Sequence, residues 1–175
     1  VASPPYDILN SAAASAAVQN KPLSFLHVTK SEVDLPADID THSTPAYEKA
    51  KENLEKFIKD GVLIQEDKPC YYIYQLLMSG RSQTGLVCTS SVEDYFNDII
   101  KKHEFTRPEK EKDRIDHMKT IKAQTGNVFL AYKNVKEIDD LIEGWKTAYP
   151  PVYNFIADDG ITHTIWAVNE AGIVS

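Results

Sequence analysis

Cysteine is scarce in this chain of 175 residues. Its two cysteines are Cys70 and Cys88, and no histidine or cysteine stands near them at the spacing of a zinc site. We therefore expect no metal site. Both cysteines fall in predicted strands, and if these form a hairpin the thiols lie nearly opposite each other. A cross-strand disulfide and two reduced, buried thiols are both open, and the thiols are the expected state.

Long apolar runs and an excess of basic residues are also missing. No run approaches the ~20 residues that span a bilayer, and the alanine-rich stretch Ser11–Val18 lacks the basic-then-apolar pattern of a signal peptide. The 19 Lys and Arg against 26 Asp and Glu give a formal charge of −7, which disfavours attraction to phosphate backbones. We expect a cytoplasmic protein that binds neither nucleic acid nor membranes.

Two common catalytic motifs do not occur. No glycine-rich phosphate loop follows a predicted strand, which excludes a Rossmann or P-loop site. No serine stands in a Gly-x-Ser-x-Gly elbow, and neither cysteine has an obvious activating base, so nucleophilic hydrolysis finds little support.

Length and composition favour one compact domain over residues 1–175. The hydrophobic content of 42% is enough to build a core in a chain of this size. The sequence starts at Val1 without a methionine and ends without a charged tail. We therefore expect a fragment of a longer protein.

Helical periodicity and capping residues predict five helices. Thr44 is the expected cap of the second, and Thr106 and Glu109 have the spacing of a capping box at the start of the fourth. The apolar stripe of the fourth helix is thin, since it consists of Ile115, Met118 and Ile121. The predicted helices are Ser11–Gln19, Pro45–Lys59, one starting at Ser90 and Ser91, one from Thr106 to about Ala123, and one from Asn134 through Trp145.

Strand-like segments are interleaved with these helices. Two pairs flank turn residues, at Gly80 and at Asp158–Gly160, and each pair predicts a hairpin. Hairpins with interspersed helices favour an α+β fold with a mixed, largely antiparallel sheet and flanking helices. The predicted strands are Leu23–Val28, Cys70–Leu77, Leu86–Thr89, Val128–Tyr132, Val152–Ile156 and Ile161–Val168.

Groups able to perform chemistry concentrate in the run from Ile99 to Arg114. Glu104 precedes a predicted helix N-terminus, which attracts anions such as phosphate, and could act as a general base towards a hydroxyl. Arg107 and Arg114 could then neutralise phosphate charge. A structural interpretation is also open, in which the capping box and a solvated charged face, with Asp113 near His117, account for the same residues.

A second polar segment forms the tip of the predicted hairpin at Ser79–Gly85. Its candidate phosphate contacts are Arg81, Ser82, Gln83 and Thr84, although hairpins tolerate polar tips without any function. The three remaining histidines, His27, His42 and His163, are spread over different segments and are interpreted as structural.

Six segments resemble the bacterial and archaeal family called domain of unknown function 1015. The polar hairpin and the motif His-Glu-x-Thr-Arg-Pro-Glu are its most specific parts. The matching segments are Pro5–Asp7, Ser24–Val28, Tyr47–Leu54, Gly80–Gly85, Lys102–Lys110 and Asp159–His163.

The resemblance implies a function like that of ParB-like free serine kinases. Members of this family carry, further downstream, an Asp-Gly-His-His-Arg motif like that of these kinases, which phosphorylate the hydroxyl of serine with a nucleotide. By this analogy Glu104, next to His103, is the general base, the nucleotide is ADP or ATP, with or without Mg²⁺, and the substrate is serine or phosphoserine. The downstream motif is absent here, since Asp159–His163 matches only its first half.

The resemblance therefore implies that this chain needs a downstream C-terminal part of the same protein for activity. The alternative is a non-catalytic interaction or ligand-binding module.

Overall fold

The computed structural model describes residues 1–103 and 106–174. It is an α+β structure with an antiparallel sheet, as the sequence predicts, and no helix in the described residues is long and apolar enough to cross a bilayer. The elements in chain order are helices α1 (Ser11–Val18), α2 (Leu26–Thr29) and α3 (Thr44–Lys59), strands β1 (Tyr71–Met78) and β2 (Arg81–Val87), helices α4 (Val92–Phe96), α5 (Pro108–Ile121) and α6 (Lys136–Ala148), strands β3 (Tyr153–Ile156) and β4 (Thr162–Val168), and helix α7 (Ala171–Val174).

The chain divides into two compact units. The first joins Val1–Gln65 to His103–Phe129, and the second joins Glu66–Lys102 to the segment from Leu130 onwards. All four strands belong to the second unit, and helices α1, α2, α3 and α5 belong to the first. The expectation of one domain over residues 1–175 stays a prediction.

Helix α3 organises the first unit. Its apolar face places Ala50, Leu54 and Phe57 in a core that Val28 and Ile121 complete. The prediction of this helix is confirmed, with Pro45 in its first turn. The cap is Ser43 and not Thr44, which already has helical geometry.

Two predicted strands are wrong. The segment predicted as a strand over 23–28 contains helix α2, in which Leu26 and Val28 are fully buried. Its backbone is satisfied locally, because Lys30 N donates to the Leu26 carbonyl at 2.8 Å. The segment predicted over 128–132 forms no regular element, and Phe129 is 81% exposed. Both strands were predicted from apolar residues alone, and these do not show whether a neighbouring strand is present to pair with the segment.

The second unit is built on a four-stranded antiparallel sheet with the order β2-β1-β4-β3. The two predicted hairpins, β1–β2 and β3–β4, are confirmed. Ile73 pairs with Trp166, and this apolar face packs on Ile142 and Trp145 of α6. The Trp145 indole also donates to the Ala167 carbonyl at 3.1 Å. Helix α6 thereby covers one face of the sheet.

The two cysteines are free thiols. They lie just outside the paired residues, since Cys70 precedes β1 and Cys88 follows β2. Cys88 is exposed and Cys70 is half-buried, so the expectation that both are buried is wrong for Cys88. Of the two alternatives for Cys70 and Cys88, the structure therefore has the free thiols and not the cross-strand disulfide.

Candidate functional site

The N-terminus of α5 begins one residue later than the capping-box pattern predicts. Pro108 takes the first helical position, so the extended residue Arg107 is the cap and Thr106 lies outside the helix. The predicted box between Thr106 and Glu109 is therefore wrong. The Thr106 hydroxyl instead donates to Glu111 Oε2 at 2.7 Å, which fixes the approach to the helix.

The buried face of α5 is polar. Asp113, His117 and Ile121 recur every four residues and are each less than 9% exposed, whereas Ile115 and Met118 of the predicted apolar stripe are both 36% exposed. The interpretation of Asp113 and His117 as parts of a solvated face is therefore wrong. The reason is tertiary: α3 and the chain near Val28 supply hydrogen-bond partners for both side chains.

Asp113 is the centre of a hydrogen-bonded network. One carboxylate oxygen accepts from His42 Nδ1 and from the Tyr47 hydroxyl, both at 2.7 Å. The other accepts from Arg114, at 2.9 Å from Nε and 2.6 Å from Nη2. Burial opposes ionisation, but the hydrogen bonds from His42, Tyr47 and Arg114 prevail and lower the pKa of Asp113 to about 2. Asp113 is thus a carboxylate at neutral pH.

The fork of hydrogen bonds to Asp113 orients the Arg114 guanidinium, which also lies 4.5 Å from the centre of the Tyr6 ring. Arg114 borders an open cleft of about 470 Å³, which we call the arginine cleft. Three basic side chains converge there within two turns of one helix. The arginine cleft is lined by Thr106, Arg107, Lys110, Glu111, Arg114, Ile115 and Met118.

Of the candidate residues near α5, Arg107 and Arg114 come together at the arginine cleft. His103 is exposed just before this segment. Glu104, the proposed general base, lies outside the described residues.

The four hairpin candidates belong to the second unit and do not form a turn. The turn consists of Ser79 and Gly80 alone, so Arg81, Ser82, Gln83 and Thr84 are the first residues of β2. The predicted polar tip is wrong, because the strand pairing continues to Met78 and Arg81. Because side chains alternate along a strand, Ser82 and Thr84 lie on the same face of β2. Both hydroxyls accept hydrogen bonds from the Gln75 side-chain amide, Ser82 at 3.2 Å and Thr84 at 3.0 Å. Arg81 and Gln83 lie on the opposite face.

Sequence reasoning missed His42 and Tyr47 as partners of Asp113. They lie 71 and 66 residues away along the chain, and each had a sufficient local interpretation, His42 in a loop and Tyr47 on the apolar face of α3. No motif joins them. Within the described residues, no group of three His, Cys, Asp or Glu side chains could hold a metal ion.

His117 makes stability sensitive to mild acid. Its Nε2 donates to the Val28 carbonyl at 3.1 Å, and its buried Nδ1 has no partner among the described residues. Burial lowers the pKa of His117 below the ordinary 6.5, so the imidazole is neutral in the folded protein. As the pH falls through 6.5, the unfolded chain takes up a proton on His117 that the folded protein does not yet bind, so the free energy of unfolding falls.

We expect a loss of at most about 1.4 kcal/mol per pH unit from this group. Urea unfolding at pH 7.5, 6.5 and 5.5 measures it, and His117→Gln should remove most of the slope while the exposed control His103→Gln keeps it. An unchanged slope in His117→Gln would assign the effect to other groups. Asp113 affects stability in a different pH range. Because its pKa is lowered from 3.8 to about 2 in the folded protein, its contribution to the free energy of unfolding is lost only as the pH falls from 3.8 towards 2.

The fold and the network define an α+β protein with a basic cleft beside a buried carboxylate. The chain belongs to the family described as protein of unknown function (DUF1015), whose family model matches residues 1–175. No curated protein and no solved structure matches the chain significantly.

Proposed function

We propose that this chain is the N-terminal part of a phosphotransfer enzyme that acts on serine or phosphoserine with a nucleotide. The observation that carries the proposal is the arginine cleft, where Arg107, Lys110 and Arg114 converge. Guanidinium groups bind phosphate through paired hydrogen bonds, and lysine adds a point charge. The cleft thus has the chemistry that a phosphorylated ligand requires.

Arg114 is the best-prepared of these phosphate contacts. Asp113 holds its Nε and Nη2, so the side chain is already ordered before a ligand arrives. Ordering a long side chain in advance lowers the entropy lost on binding. Both Nη1 hydrogens and the second Nη2 hydrogen are left to meet phosphate oxygens. Arg107, at the helix cap, is exposed and can approach the same ligand.

The proton transfer in this reaction is assigned to Glu104, with His103 beside it. The step requires a base that takes the proton of the serine hydroxyl while the phosphoryl group is transferred. Both residues precede the N-terminus of α5, whose backbone amides and dipole favour the negative charge of a phosphate. Arg81 and Gln83, in the second unit, stay separate candidate phosphate contacts, while Ser82 and Thr84 are engaged by Gln75.

The nucleotide is ADP or ATP, with or without Mg²⁺, and the downstream C-terminal part of the protein is the partner that completes the site. The proposed location is the cytoplasm. The nucleotide, the ion and the partner rest on the resemblance to ParB-like serine kinases.

A non-catalytic module is the second candidate function. Ile115 and Met118 are exposed in the same cleft as the arginines, and mixed apolar and basic surfaces also suit a binding interface. The intact gene product should be assayed with serine and ATP, and with phosphoserine and ADP, while phosphoserine is quantified. Turnover supports the enzyme, and its absence in both directions favours the module.

Arg107→Ala should weaken nucleotide binding by about tenfold, which corresponds to ~1.4 kcal/mol. Arg107 is exposed and caps the helix through its backbone, so its side chain can be removed without disturbing α5. Calorimetric titration of the intact protein with ATP measures the effect. Lys59→Ala, an exposed lysine of α3, controls for the loss of one positive charge. Equal weakening in both variants would mean that the arginine cleft is not the binding site.

A further inference from the structure

The described residues of the first unit include two histidine–aspartate pairs, which differ in exposure and in the partner of the second ring nitrogen. His27 Nδ1 lies 2.9 Å from Asp34, and its Nε2 is bonded to the Lys21 carbonyl at 3.3 Å, with the side chain only 14% exposed. His42 Nδ1 lies 2.7 Å from Asp113, but its side chain is 53% exposed. Among the described residues, none hydrogen-bonds to its Nε2. Only the His42 pair therefore presents a ring nitrogen to solvent.

Asp113 determines which nitrogen of His42 is reactive. Because the carboxylate accepts the Nδ1 hydrogen, the neutral ring carries its lone pair on Nε2. Tyr47 and Arg114 hold the carboxylate in place, so the ring is oriented by a group that is itself fixed. A carboxylate on one nitrogen also stabilises the positive charge that develops when the other nitrogen attacks an electrophile.

His42 opens onto a second cleft, of about 400 Å³, which we call the histidine cleft. All the side chains that line it are polar or charged: His42, Thr44, Tyr47, Lys112, Lys119 and Thr120, together with Asp116. Asp116 is paired with Lys112, so its charge is compensated within the cleft. The polar walls suit a hydrated anion and offer no apolar surface to an acyl group. Lys119 and the Thr44 hydroxyl can contact phosphoryl oxygens.

We propose that His42 Nε2 accepts a phosphoryl group and forms a phosphohistidine. The Nε2 lone pair forms the P–N bond as the P–O bond to the leaving group of a phosphoric anhydride breaks. With a nucleoside triphosphate as donor, the electron pair of that bond leaves on the nucleoside diphosphate. The Nδ1 proton stays between the ring and Asp113, and no further proton acceptor is needed.

The inference goes beyond the proposed function, because phosphorylation of His42 does not need serine. It connects the two clefts through one residue, since Asp113 binds Arg114 with one oxygen and His42 with the other. Labelling of His42 and formation of phosphoserine are separate measurements, so either can fail without the other.

The test is to incubate the intact gene product, without serine, with ATP carrying a radioactive γ-phosphate, and in a second arm with phosphoramidate. Protein-bound phosphate that is labile in acid and stable in base is counted, and its position is read by mass spectrometry. We expect His42→Gln to lower this label by about tenfold or more. His27→Gln, the matched control, should retain it. Asp113→Asn should slow labelling by about tenfold or more.

Label at His42 from ATP supports the inference, whereas label from phosphoramidate alone is chemical phosphorylation of an exposed imidazole, which breaks no anhydride bond, and overturns it. No acid-labile label in either arm, or equal label in wild type and His42→Gln, overturns it. An equal loss in His27→Gln also overturns it. Thermal unfolding of each variant shows that it is folded, and because His42 is half exposed, its variant decides the result if Asp113→Asn is unstable.

Discussion

Replacing Asp113 with alanine is expected to lower the free energy of unfolding by about 2–4 kcal/mol. The carboxylate is 8% exposed and accepts hydrogen bonds from His42, Tyr47 and Arg114. His42 and Arg114 can turn to water when it is removed, because both side chains are partly exposed. Tyr47 is only 7% exposed, so its hydroxyl loses its acceptor in a largely buried position.

The matched control for this substitution is Asp116→Ala on the same helix. Asp116 pairs with Lys112, an i,i+4 partner whose side chain is 77% exposed, and such surface pairs contribute under about 1 kcal/mol. Guanidinium chloride unfolding at pH 7 compares the two variants. Similar losses in both would show that the network around Asp113 adds little beyond an ordinary surface charge.

Glu104→Gln is expected to lower kcat for phosphoserine formation by about a hundredfold or more, with the KM for nucleotide nearly unchanged. Glutamine keeps the size and the hydrogen-bonding reach of glutamate but cannot take up the proton of the serine hydroxyl. Because the substitution removes a transition-state role and leaves the phosphate contacts in place, the effect should fall on kcat. Steady-state kinetics of the intact gene product measure both constants.

Glu109→Gln is the control that distinguishes the proposed general-base role of Glu104 from an electrostatic effect of its negative charge on the helix. Glu109 is an exposed carboxylate in the first turn of α5, so it contributes negative charge at the same helix end without a proposed catalytic role. A charge effect on the helix amounts to about 0.3–1 kcal/mol, which is far less than a hundredfold change in rate. If both variants lose activity alike, Glu104 acts as a helix-end charge and the base lies elsewhere.

Asp113 makes the two clefts of the first unit interdependent. It orients Arg114 towards the arginine cleft and His42 towards the histidine cleft, and a single change there should affect both. Variants of His42 and Arg107 are therefore more informative about each cleft than variants of Asp113.

Local patterns were sufficient where one short segment carries all the information. The apolar face of α3, with Pro45 at its start, and the two hairpins around Gly80 and Gly160 follow from periodicity and turn chemistry alone, and each is confirmed. The same rules failed for 23–28 and 128–132. A β-strand forms only if another strand pairs with it, and the sequence of one segment does not show whether such a partner is available.

The sequence by itself determined the α+β class, the main helices and hairpins, the family, and the basic residues Arg107 and Arg114. Only the tertiary structure decided that the polar face of α5 is the buried one, and that Asp113 receives hydrogen bonds from His42 and Tyr47. The physical reason is that burial of a carboxylate is favourable only when hydrogen-bond donors meet it, and here the donors His42 and Tyr47 come from distant parts of the chain. Those donors are 71 and 66 residues away, so no local pattern could reveal them.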